Sequence, residues 1–128
     1  MSSLEHANHN FALYKELINL KKYDDWVITV AFYAALHYID HKIFPIQESS
    51  NPNNKTYPNF NKYYTEHRFS SQHNVRSDLV RTLLPNIFPY FEILKTAARE
   101  SRYEDYNPKT QTIQMVIQSI NQIRKTCK

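Results

Sequence analysis

Leu4, Ala7, Phe11, Tyr14 and Ile18 recur at steps of three and four near the start of the chain, the spacing that gathers apolar side chains on one helix face. Ser2 and Glu5 ahead of this run have the spacing of a capping box, so a first helix is predicted from about Ser3 to Leu20. After the connector KKYDD, in which Asp24 is the N-cap candidate, WVITVAFYAALHYIDHKIF runs almost unbroken to Pro45. This second helix is apolar nearly all round. No single stripe could bury it, which places it at the centre of a bundle.

Residues 45–70 mix Pro, Asn and Ser with Tyr and Phe and show no sustained period. They are expected to form a long loop, either a mobile insertion or a functional segment whose tyrosines stack on bases. SSQHNVRSDLVRTLLP then combines serine caps with Val75, Leu79 and Leu83 before Pro85, giving a third helix. In NIFPYFEILKTAARESRYEDY, Ile87, Phe91, Leu94 and Ala98 repeat the helical spacing, and Pro89 fits within the first turn. This fourth helix is expected to end between Arg102 and Tyr106. Asn107 and Pro108 supply a cap and an N1 proline for a last helix with an apolar face of Ile113, Val116, Ile117, Ile120 and Ile123. The predicted fold is all-α, a single domain over residues 1–128 with four to five helices and a long loop at about 45–70.

Composition narrows the functions available. The chain of 128 residues contains no glycine, which disfavours tight hairpins and phosphate-cradling glycine loops. Its single cysteine, Cys127, has no intrachain partner, so neither a disulfide framework nor a zinc ribbon is expected, and a reducing cytoplasm is the simpler location. The N-terminus has no secretory pattern, and no stretch approaches the roughly 20 apolar residues that span a bilayer. A net charge of +4 permits an anionic partner without requiring one.

Three constellations could carry chemistry. At about 100° per residue, Trp26, Thr29, Tyr33, His37 and Asp40 share an arc of roughly 80° on the second helix, with His41 just beyond. This polar stripe faces either a site or hydrogen-bonding neighbours. His37 and His41 at i and i+4 have the spacing of helical zinc ligands, but His-x-x-Asp-His lacks the glutamate of the hydrolytic motif, and His6 with His9 forms an equal pair. No metal and no cofactor is expected. Second, His73 and Arg76 stand three residues apart at the start of the third helix, where free N–H groups already favour anions; the alternative is a solvated first turn. Third, Arg99 and Arg102 continue the apolar face of the fourth helix, followed by Tyr103. They either pair internally, with Asp40 or their own acidic neighbours, or address phosphate.

HN in the first helix, DDWVITVAFYAALHY, HNVR and SRYEDY occur in this order, and the arrangement, over about residues 5–108, resembles the HEPN-like helical domains of bacteria. The resemblance implies an up-and-down bundle that forms a homodimer and binds RNA or a nucleotide in a cleft at the dimer interface. Many HEPN proteins are metal-independent endoribonucleases of toxin or phage-defence systems, with a protein partner encoded nearby; others are silent binding or assembly modules. Arg102 stands nearest the family arginine, while the position of the family histidine holds Tyr106 or another residue that is not histidine. Arg68 and His73 have the family spacing but straddle the loop and helix start, so they are set aside. His73, Arg76 and Arg102 are therefore the expected catalytic group, with Tyr33, His37, Asp40, Arg99 and Tyr103 binding or orienting substrate.

Overall fold

The computed structural model describes residues 1–48, 55–102 and 108–128, and its first element is α1, Ser3–Leu20. The capping box forms as expected. Ser2 Oγ accepts from the Glu5 N–H and the Glu5 carboxylate accepts from the Ser2 N–H, each at 3.1 Å, satisfying donors that a helix start otherwise leaves open. The helix stops at Lys21, whose backbone is left-handed with φ 57°. Glycine is the usual residue at such a stop, and a chain without glycine places a lysine there.

The central helix α2 spans Asp24–Ile43. Tyr23 occupies its N-cap and no side chain caps it, so Asp24 is not the cap expected from sequence. Asp24 and Asp25 instead lie in the first turn, where carboxylates meet the positive end of the helix dipole. Its buried side chains run from Ala34 and Tyr38 round to Phe32 and Leu36, an arc of about 200° at 100° per residue. The helix packs against α1, α5 (Phe88–Glu100) and α6 (Thr110–Cys127), the position that its near-continuous apolarity predicts.

The expected loop at 45–70 is corrected over its described residues, with 49–54 lying outside them. Strand β1, Ile46–Gln47, pairs antiparallel with β2, Thr56–Tyr57, with Ile46 opposite Tyr57. Helix α3, Phe60–Glu66, follows, with Asn59 Oδ1 accepting from the Lys62 N–H at 2.9 Å. Elements this short cannot display a period. Aromatic packing defines them instead: Phe60 is buried edge-on to Phe44, Tyr57 lies edge-on to Tyr63, and the Tyr57 hydroxyl donates to Glu66 at 2.6 Å.

Ser71 caps α4, Gln72–Leu83, by accepting from the Asn74 N–H at 3.2 Å. A single turn of 3-10 helix, Pro85–Ile87, leads into α5. That helix ends at Glu100, before the expected Arg102 to Tyr106, and residues 103–106 lie outside those described. α6 begins at Thr110 with Lys109 at its N-cap, so Pro108 precedes the helix rather than opening it, and Asn107 is outside the described residues. Val116, Ile120 and Ile123 enter the core fully, while Ile113 and Ile117 are half-buried. Among the described residues the fold is an all-α bundle of six helices with one two-stranded sheet. No helix among them is long and apolar enough to cross a membrane.

Candidate functional site

Asp40, near the end of α2, faces Arg76 on α4. The guanidinium donates from Nε to Oδ1 and from Nη2 to Oδ2, both at 3.0 Å. It lies 3.7 Å from the centre of the Phe60 ring, and Arg76 retains only 8% of its exposure. This planar, forked match is the arrangement in which arginine differs most from lysine. The internal partner of Asp40 is thus Arg76, whereas Arg99 and Arg102 are both exposed. Asp40 also lines a cavity of about 230 Å³ with Ser3, His41, Phe44, Pro58, Asn59 and Phe60.

One turn before Asp40, His37 stacks on His6 of α1, with ring centroids 4.9 Å apart and 18° between planes. Burial, the neighbouring His6 and Arg76 all hold its pKa down, and Asp40 acts in the opposite direction. His37 is thereby favoured as a neutral imidazole. Among the described residues no three His, Cys, Asp or Glu side chains gather as a metal-binding group.

The second centre forms where α4 meets α5. His73, in the first turn of α4, lies edge-on to Phe32 with centroids 5.3 Å apart, and its Nδ1 is buried without a hydrogen-bond partner. Burial lowers its pKa, and the positive charges of Arg76, Arg102 and Lys95 lower it further. A neutral imidazole under the influence of nearby positive charge can accept a proton, although Nδ1 itself is buried and only a change at the site would bring substrate to it.

Lys95 is the member that sequence reasoning missed. Its Nζ donates to Ser77 Oγ at 2.8 Å and pairs with Glu92 at 3.1 Å. The available signal was the spacing Lys95, Arg99, Arg102, which at i, i+4 and i+7 sets three cations along one side of α5 and its end. Ser101, beside Arg102, donates to the Ala98 carbonyl at 2.8 Å and lies 3.4 Å from Thr29 Oγ1, tying this end of α5 to α2.

The remaining expected residues divide. Tyr33 is 47% exposed and its ring lies 6.0 Å from Phe32, the same side chain that His73 abuts. Tyr33 and His73 therefore flank one phenyl ring. Trp26, placed on the polar stripe by sequence, is 57% exposed and joins Leu13, Leu17, Tyr23 and Val30 around an apolar groove of about 340 Å³ between α1 and α2. Tyr103 lies outside the described residues. Comparison with known proteins gives no further guide: no protein-family model, curated protein or solved structure matches the chain.

Proposed function

We propose that this chain is an HEPN-like RNA-binding domain that cleaves RNA without a metal ion, as a homodimer in a cytoplasmic toxin or phage-defence system. The observation that carries the reading is His73, whose neutral form is favoured by burial and by Arg76, Arg102 and Lys95. In metal-free cleavage a base removes the proton of the 2′-hydroxyl and cations stabilise the charge that builds on phosphorus. His73 is the base. Arg102 and Lys95 hold the phosphate, and Tyr33 offers an exposed ring to a base. The 2′-oxygen bonds to phosphorus as the bond to the 5′-oxygen breaks, and that oxygen takes a proton from solvent.

Arg76 differs from the role its motif implies. Its paired and stacked guanidinium makes it a positioning residue that fixes the start of α4 and adds positive charge beside His73. His37 and Asp40 support it from α2. Arg99 extends the cationic line on α5.

The apolar groove between α1 and α2 favours a second reading, a non-catalytic dimerisation or adaptor module that binds a nucleotide or protein partner. Binding of a single-stranded RNA oligonucleotide at several salt concentrations tests the first reading. Affinity should fall with salt, and Arg102→Ala should reduce the slope by about one phosphate contact. Salt-independent binding would remove phosphate as the target.

A further inference from the structure

His67 terminates α3 between two groups that can only accept hydrogen bonds when the carboxylate is ionised. Its Nδ1 lies 2.8 Å from the Tyr63 carbonyl oxygen and its Nε2 lies 2.6 Å from Glu48 Oε1. A neutral imidazole has one N–H and can satisfy only one of them. With both nitrogens protonated the ring satisfies both, and the second contact becomes a charge-assisted pair with Glu48. The ring also lies flat on Tyr63, 3.9 Å between centroids and 3° between planes, as a cation does over an aromatic face.

We propose that His67 is a proton-dependent clasp that fastens α3 to the residue following β1. The clasp holds where His67 is protonated and Glu48 is ionised. It loosens when His67 gives up its second proton or Glu48 gains one. The contacts that define it do not rest on the RNA-cleavage reading.

What it holds is mechanically placed. α3 carries Phe60, the ring beneath the Arg76 guanidinium, so loosening α3 withdraws the aromatic support of the Asp40–Arg76 pair. The other charged or titratable groups around the clasp are Tyr57, edge-on to His67, and Tyr63 beneath it, with Glu66 and Lys55 paired behind Tyr57 and Asp78 of α4 near Tyr63. The phenols of Tyr57 and Tyr63 are raised by burial first and then by the Glu48 carboxylate, so neither ionises in the range where the clasp works. His41 of α2 lines the cavity beside Phe60, and His37 lies within reach of the Arg76 charge.

The test is amide hydrogen exchange of the whole chain at pH 5.5 and pH 8, corrected for intrinsic rates, with α2 amides as the control for global stability. Protection of the α3 amides should fall about fivefold at the higher pH, the loss of one charge-assisted contact, while that of α2 does not change. His67→Gln and Glu48→Gln should each give low, pH-independent protection, and His67→Gln separates His67 from His41. Equal α3 protection at both pH values in the wild type, or a pH dependence that survives in either variant, would overturn the proposal.

Discussion

Arg76 and Asp40 meet side on across the α2–α4 contact, through two parallel hydrogen bonds of 3.0 Å each. Their side chains retain 10% and 16% of their exposure, so neither can exchange its partner for water without the helices separating. Removing one partner leaves the other charge buried and unpaired. Asp40→Ala should therefore lower unfolding free energy by about 3 kcal/mol, read by urea denaturation. The double variant with Arg76→Ala should lose less than the sum of the single losses. Arg102→Ala, outside this pair, should add independently, and strict additivity of Asp40 with Arg76 would contradict the pairing.

Two histidines contribute to the acid side of the stability curve. Burial, then nearby positive charge, lowers the pKa of His73 below the ordinary 6.5, and burial, then His6, does the same for His37. Below about pH 6.5 each of these two histidines binds more proton in the unfolded chain than in the folded one. The stability these groups contribute is fully present above that pH and is lost as pH falls through the folded values. His73→Gln should make the acid loss of melting temperature shallower between pH 7 and pH 5. An unchanged profile would show that His73 titrates alike in both states.

Lys21 holds a left-handed backbone, φ 57°, at the end of α1. A side chain with a Cβ is disfavoured there by about 1 kcal/mol relative to glycine. Lys21→Gly is therefore expected to raise unfolding free energy by about 1 kcal/mol, measured by chemical denaturation. A loss of stability would mean that the lysine makes a contribution larger than its backbone cost.

Cys127, although next to the C-terminus, is 1% exposed, and burial pushes its thiol up to about 11. Thiolate is the reactive form. At pH 8 the native protein should react slowly with a disulfide reagent such as dithionitrobenzoate, and rapidly once denatured. Equal rates in the two states would place the last turn of α6 outside the core.

Helix positions were legible where apolar spacing ran for several turns, as in α1, α2 and α4, and where Ser2 and Ser71 supplied caps. The short β1, β2 and α3 elements were not, because two-residue strands and a seven-residue helix present no period and are fixed by contacts among Phe44, Tyr57, Phe60 and Tyr63. Of the candidate residues, residue type is legible in the sequence and partnership less so. Motif and helix position single out His73 and Arg102, and Arg102 is one of the positive charges that lower the His73 pKa. The partner of Asp40 lies 36 residues away, a distance at which local spacing carries no information. The lysine beside His73 escaped notice because its charge reads equally well as a solvated helix face.

The central claim, that a neutral His73 among cations makes this an RNA-cleaving domain, is met most directly by incubating the purified chain with single-stranded RNA in EDTA at pH 7. Wild type, His73→Ala and Arg102→Ala are compared, and circular dichroism checks that each variant folds. The account predicts cleavage by the wild type to 2′,3′-cyclic phosphate ends, abolished in His73→Ala and reduced about a hundredfold in Arg102→Ala. Intact RNA with the wild type, or undiminished cleavage by a folded His73→Ala protein, would contradict it.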